Sequence, residues 1–310
     1  MVNDRLHTER LPDFLGIGAQ RTGTTWLWEN LRRHPEIWMP ERKEIHYFER
    51  STMYPFYRQR PEALARKRKL LARRVLDDVR RGDWREIIRD LGFLVGLNDD
   101  RWYASLFADA GGKVAGEITP AYSTLPSKQI EHIHTIMPQA RIVFIVRDPV
   151  DRAWSAVKFG VRWRMGRPLD LETFSLDDLR RIVETERFQV QGDYVRTITR
   201  WREHFPAEQF FVGFFDDIVH RPAWFLSRVF AFLEVDASEE HVTSVAFQRA
   251  NPSRDVEMPP EFRSLLTEIY YPQIVSLSDF LDGPAVDWRR EAETVLQTTH
   301  WPRTDADRCW

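Results

Sequence analysis

Residues 14–26 (FLGIGAQRTGTTW) read as a buried strand that runs into a glycine-punctuated turn and then into an apolar, helix-like stretch. That order of elements narrows the fold more than anything else in the chain. A strand, a tight turn and a helix start bring backbone N–H groups and the helix N-terminus together on one anion. Nucleotide phosphate loops commonly read G-x-x-x-x-G-K-[ST], whereas Gly18 to Thr25 supply G-x-x-x-x-G-T-T. The lysine that reaches the β/γ-phosphates is absent, and a cation comes earlier, as Arg21. With neither that lysine nor a hydrophobic strand ending in a magnesium-binding Asp, a nucleoside monophosphate or bisphosphate fits better than a magnesium triphosphate. The glycines alone fit any strand–turn–helix of an α/β protein; Arg21, the paired threonines and Trp26 add the specificity.

A second apolar run, 141–146 (RIVFIV), stops at Arg147, Asp148 and Pro149, and 150–159 reads as a helix carrying Arg152 and Ser155. Polar groups at a strand's carboxyl end are where open α/β sheets bind ligands. Arg147 offers a planar, two-pronged donor to a phosphate, and Ser155 adds a hydroxyl from the helix. Asp148 is the expected N-cap, with Pro149 at the helix start. Pairing of Arg147 with Asp148 or Asp151 is the purely structural alternative. Further helices are expected over 128–137, 176–186, 194–204, 224–233 and 259–281, with a strand at 210–214. Alternating strands and helices imply a parallel sheet with helices on both sides.

The two anion elements, in this order, resemble the sulfotransferases that use 3′-phosphoadenosine 5′-phosphosulfate (PAPS). GAQRTGTTW (18–26) is similar to their 5′-phosphosulfate loop and IVRDPVDRAWS (145–155) to their 3′-phosphate element. KEIHYF (43–48) and GEITPAY (116–122) resemble the intervening blocks of bacterial enzymes and of Golgi heparan sulfate sulfotransferases, and the likeness spans most of 14–288. The resemblance implies an α/β, P-loop-containing three-layer α/β/α fold with a central parallel sheet and a helical insert. It places Arg21 where most members have lysine, beside the donor's bridging oxygen and sulfonate. There it would supply electrostatic stabilisation, since an arginine is a poor proton donor. Thr22, Gly23, Thr24 and Thr25 would bind the 5′-phosphate, and Arg147 with Ser155 would read the 3′-phosphate. Trp26 would stack on adenine, or else be a core tryptophan at the helix start.

The acceptor must lose a proton as its oxygen attacks sulfur. Glu44 matches the glutamate that acts as base in the heparan sulfate enzymes, and His46 aligns with a histidine of the same block. In an extended segment Glu44, His46 and Phe48 would project to one face. The structural alternatives are an ion pair of Glu44 with Lys43 and a hydrogen-bonding role for His46. Where the heparan sulfate enzymes carry a lysine after the glutamate of the next block, this chain has Ile118, so that lysine's role does not transfer. Glu117, with Thr119, Pro120 and Tyr122, would line the acceptor side or orient Arg21, or simply precede a helix start. Arg249, Asn251, Ser253 and Arg254 occupy the place where the family closes a loop over the 3′-phosphate.

Length and a 43 % hydrophobic content allow a single domain over 1–310, with a helical insert at about 54–109 and a C-terminal tail at 289–310. A net charge of −2 argues against a nucleic-acid partner. The lone cysteine, Cys309, cannot form an internal disulfide, and no stretch is apolar enough for a leader or a membrane span, so a cytoplasmic enzyme is expected. Arg60 to Arg81 is dense in basic residues around an apolar stripe and reads as an amphipathic helix, followed by another near 84–94. Its basic face is either solvated or turned to an acidic acceptor, a carrier protein or a membrane surface. With Trp102 and Tyr103 as an acceptor wall, the insert would act as a lid. Trp301 and Trp310 would dock on the body or on a second subunit. His46, His132 and His134 show no metal-ligand spacing, so no metal is expected.

The reading is thus transfer of a sulfuryl group from PAPS to a hydroxyl of a carbohydrate, glycolipid or small metabolite. A kinase-like P-loop phosphotransferase, which would need magnesium, is the alternative enzyme class. A non-catalytic nucleotide-binding protein is the third.

Overall fold

A computed structural model describes residues 10–49, 99–245 and 256–298, together with four helical positions, Lys69, Leu76, Val79 and Arg80. The remaining residues of 50–98, with Arg249, Asn251, Ser253, Arg254 and residues 299–310 with Trp301, Cys309 and Trp310, lie outside the described residues, whereas 289–298 of the expected tail are helical. Strands β1 (Phe14–Gly18), β2 (Ile37–Trp38), β3 (Val114–Ile118), β4 (Arg141–Val146) and β5 (Phe210–Phe214) form one sheet in the order β2-β3-β1-β4-β5. Every neighbouring pair is parallel.

The helices are α1 (Thr24–Leu31), α2 (Asp100–Ser105), α3 (Ser127–Ile136), α4 (Pro149–Met165), α5 (Leu176–Val183), α6 (Glu186–Gly192) and α7 (Tyr194–Arg202). They continue as α8 (Phe215–His220), α9 (Pro222–Phe232), α10 (Glu239–Val245), α11 (Pro260–Phe280) and α12 (Pro284–Thr298). Side chains alternate across the pleat, so each central strand feeds two cores. Leu15, Ile17, Ile142, Phe144 and Val146 face a cluster closed by α4, α7 and α11. Phe14, Ile118, Val143 and Ile145 face a second cluster closed by α1 and α9. The result is the expected three-layer α/β/α arrangement around a parallel sheet. Gly116 pairs in register with Phe14, and a Cβ there would lie 2.1 Å from the Phe14 ring. A glycine is required at that point because the ring occupies the space a side chain would fill.

The strand order positions the site. From β1 the chain turns towards β2 and β3; from β4 it turns the other way, to β5. The loops after these two adjacent strands therefore diverge and open a crevice at their carboxyl ends, the switch point at which such sheets bind ligands. Helix α4 starts there as expected: Pro149 occupies its first turn and the Asp148 side chain accepts the Asp151 N–H at 2.9 Å. It runs on to Met165 and ends at Gly166 with φ 69, well beyond residue 159. The helix expected at 176–186 stops at Val183, and a second, α6, begins at Glu186. Helix α5 opens on a capping box of Ser175 with Asp178, and past its end the Gln189 side chain donates to the Val183 carbonyl at 2.8 Å, satisfying a helix-end acceptor across the break.

Candidate active site

The loop after β1 is held open by its own backbone. Gly23 caps α1 at φ 83, where a Cβ would also press on Phe215 and Ile218, and Arg21 sits at φ 72. Non-glycine residues rarely adopt such angles, and they cluster at functional sites. The conformation aims Arg21 across the switch point, where its Nε donates to Ser155 Oγ at 3.1 Å and its guanidinium lies 4.7 Å from the Phe159 ring centroid. Arg147 comes from the other strand end: its Nη1 donates to the Arg21 carbonyl at 3.2 Å, and its guanidinium lies over Phe215. Its carboxylate neighbour Asp151 is 4.0 Å away and is shared with Arg263 at 3.1 Å. Burial first, and then the charge of Arg147, lowers the pKa of Arg21. Two adjacent cations of this kind favour an anion between them.

The threonines divide their work. Thr22 is fully buried and its hydroxyl donates to the Ala19 carbonyl at 2.8 Å, so it braces the loop and leaves only its backbone N–H for a ligand. Thr24 is buried as well. Thr25 Oγ1 accepts a hydrogen bond from Lys43 Nζ at 3.1 Å, a contact not anticipated in the sequence. Phosphate loops of nucleoside triphosphatases place magnesium on the hydroxyl that ends the loop; here an ammonium stands beside that hydroxyl. Among the described residues no cluster of His, Cys, Asp or Glu is arranged to hold a metal ion. Trp26, expected to stack on adenine, instead fills the second core: it is 6 % exposed and packs edge-on against Phe225.

The base segment departs from the extended form expected for it. Glu44 and His46 have φ of 63 and 58, so their side chains are not brought together by strand alternation. They meet nonetheless, with His46 Nε2 3.4 Å from Glu44 Oε2 and Lys43 Nζ 2.8 Å from Glu44 Oε1. On its far side the His46 ring hydrogen-bonds through Nδ1 to Glu49. Glu49 is 2 % exposed, and the sequence reading passed over it. Its only signal was a carboxylate three residues after His46. Glu44 is the most open of the four, with 39 % of its side chain exposed, and its backbone N–H is tied to the Ile118 carbonyl at 3.2 Å.

The residues proposed to line the acceptor side build a scaffold. Tyr103 and Tyr122 are fully buried and Glu117 nearly so. Glu117 accepts from Tyr103 OH at 2.6 Å, from Tyr122 OH at 3.0 Å and from Thr119 Oγ1 at 2.7 Å. Tyr122 OH in turn accepts the Tyr47 N–H at 2.9 Å, and the Tyr47 ring stacks on Tyr103. Trp102 is also buried. Glu117 is thus fixed by three hydroxyls rather than by Arg21, and the network holds the 44–49 segment against the end of β3. Burial dominates its pKa and raises it, despite these hydrogen bonds.

Charge is distributed unevenly over this half-site. Burial opposes ionisation at Glu44, but the hydrogen bond from His46 and the charge of Lys43 outweigh it and hold the carboxyl at about 2. Burial likewise opposes charge on His46, and Glu44 and Glu49 outweigh it, lifting the imidazolium to about 9. His46 is therefore a proton donor at neutral pH. A folded-state pKa above the unfolded value of 6.5 stabilises the fold fully below 6.5, and that contribution is lost as pH rises through about 9. Melting temperature is expected to fall between about pH 7 and 9.5, and to fall less in His46→Asn. An identical alkaline slope in both proteins would remove the charged His46. Asp148, raised to about 7 by burial and then by Asp151, loses its contribution below this window, between 3.8 and 7.

Known proteins similar to this chain are sulfotransferases. Carbohydrate sulfotransferase 15 of Mus musculus is 24 % identical over 90 % of this chain and 55 % of its own length. Heparan sulfate glucosamine 3-O-sulfotransferase 3B1 of Homo sapiens is 26 % identical over 73 % of this chain and 47 % of its own. The chain thus spans about half the length of these curated relatives. The crystal structure of a sulfotransferase from Alicyclobacillus acidocaldarius superposes with a TM-score of 0.61 at 23 % identity, covering 90 % of this chain and 99 % of that one, and shares the fold. A family model described as the sulfotransferase family matches residues 12–239. That span takes in the Arg21 loop, the Glu44 segment and the Arg147–Ser155 element together, and the chain belongs to the sulfotransferase family.

Proposed function

We propose that the chain transfers the sulfuryl group of PAPS to a hydroxyl acceptor and releases adenosine 3′,5′-bisphosphate. The observation that carries this reading is the direct link between the two anion elements, Arg21 to Ser155 and Arg147 to the Arg21 carbonyl. One ligand with phosphates at two positions can engage both ends of such a pair, and PAPS is the donor the family resemblance implies. In the reaction the acceptor hydroxyl gives its proton to Glu44 while its oxygen bonds to sulfur. The bond from sulfur to the bridging phosphate oxygen breaks, and its electron pair stays on the departing phosphate. Arg21 stabilises that charge, and the loop N–H groups fix the 5′-phosphate. The protein needs no covalent intermediate, and no step calls on a metal.

The named substrates of the relatives favour a carbohydrate acceptor, with a glycolipid or small metabolite as the other hydroxyl sources. The lone Cys309 fits a reducing, cytoplasmic setting. No helix among the described residues is long and apolar enough to cross a membrane.

Calorimetry tests the donor class. Adenosine 3′,5′-bisphosphate is expected to bind at least about tenfold more tightly than AMP or ATP, because charge-assisted hydrogen bonds to the 3′-phosphate are worth about 1.5–3 kcal/mol. Arg147→Ala should remove most of that preference and leave AMP nearly unchanged. Equal affinity of the wild-type protein for the bisphosphate and AMP would defeat the assignment to PAPS.

A further inference from the structure

Lys43 joins the two halves of the site. Its Nζ lies 3.1 Å from Thr25 Oγ1, at the end of the phosphate loop, and 2.8 Å from Glu44 Oε1, on the residue assigned as base. Its side chain is 17 % exposed, so the ammonium is largely withdrawn from solvent and depends on these oxygens. A lysine can serve both because its stem is flexible and its head carries three N–H donors. The charged groups facing Lys43 and Glu44 are Arg21, His46 and, behind His46, Glu49. A carboxylate pinned by an ammonium on one oxygen and an imidazolium near the other has little capacity to accept a further proton.

We propose that Lys43 is a fixed cation of the donor site that turns from Glu44 to the donor's 5′-phosphosulfate on loading, and so releases Glu44 to take the acceptor's proton only once the donor is in place. This rests on the reading of the donor as PAPS. The competition favours the switch, since a phosphate at Thr25 brings more negative charge than the single carboxylate it displaces. Lys43 then supplies, from a separate segment, the positive charge that a phosphate loop otherwise draws from a magnesium ion. It also ties proton abstraction to donor occupancy. The movement is short, because the ammonium already touches the loop.

Coupling between two sites is reciprocal. If the donor must win Lys43 from Glu44, removing the carboxylate has to tighten donor binding, and only while Lys43 is present. Calorimetry with adenosine 3′,5′-bisphosphate on wild type, Lys43→Gln, Glu44→Gln and the double variant reads this directly. Lys43→Gln is expected to weaken binding about tenfold, and Glu44→Gln to tighten it about threefold or more. In the Lys43→Gln background the glutamine at 44 should change nothing. Lys43→Arg keeps the charge and should stay within about threefold of wild type, and matching thermal melts show that each variant is folded.

Unchanged affinity in Lys43→Gln, or an equal effect of Glu44→Gln in both backgrounds, would overturn the proposal and leave the donor reading standing. A wild-type protein that binds the bisphosphate no better than AMP would instead overturn the donor reading and the proposal together.

Discussion

Replacing Glu44 by glutamine is expected to lower turnover by about two to four orders of magnitude, which is the range for loss of a general base, while binding of adenosine 3′,5′-bisphosphate is not weakened. The isosteric amide preserves the volume of the side chain but cannot take a proton. No neighbour is placed to substitute for it: the His46 ring keeps its hydrogen bond to Glu49, which favours the protonated form without Glu44, and Lys43 is a cation. Glu117 is locked by Tyr103, Tyr122 and Thr119. The buried Glu49 already binds the His46 ring. Steady-state turnover of Glu44→Gln at saturating donor checks this, and a rate within about threefold of wild type would exclude Glu44 as the base.

Arg21→Met is expected to cost about two to three orders of magnitude in turnover, comparable to removing a donor from a preorganised oxyanion site. Arg21 is the cation that reaches across the switch point, where it binds Ser155 from a backbone held at φ 72. Its side chain hydrogen-bonds to the neutral Ser155 hydroxyl, and Glu44 offsets its charge less than burial and Arg147 oppose it, so an incoming anion is its natural partner. Arg21→Lys keeps a cation at the place where most family members carry lysine, and should recover most of the lost rate. Binding of the bisphosphate separates the two roles: a fall in turnover without a matching loss of affinity is the signature of an interaction made in the transition state. Equal losses of affinity and turnover would make Arg21 a binding residue only.

What the sequence made legible is what is local. The strand, turn and helix of residues 14–31 lie within one stretch, and so do the end of β4, the Asp148 cap and Ser155 in the second turn of α4. Glycines, caps and apolar runs report such elements directly. The link between Arg21 and Ser155 spans 134 positions, and only the family resemblance brought those residues together. Three features escaped for physical reasons. Glu44 and His46 have the backbone of neither helix nor strand, so periodicity carried no signal for them. Lys43 finds Thr25, and Tyr122 finds Tyr47, through contacts fixed by the strand order. Trp26, Trp102, Tyr103 and Tyr122 are amphipathic or aromatic residues that suit a ligand wall and a core equally well in sequence. Burial decides between those uses, and here it decides for the core.

Labelled transfer addresses the central claim most directly. PAPS carrying a radiolabelled sulfonate is incubated with the protein, a chelator and a set of hydroxyl acceptors that includes oligosaccharides, glycolipids and small alcohols. The label should appear in an acceptor in step with release of adenosine 3′,5′-bisphosphate, at a rate the chelator does not change. Label that stays in PAPS with every acceptor, while the γ-phosphate of ATP is transferred in the presence of magnesium, would contradict the account.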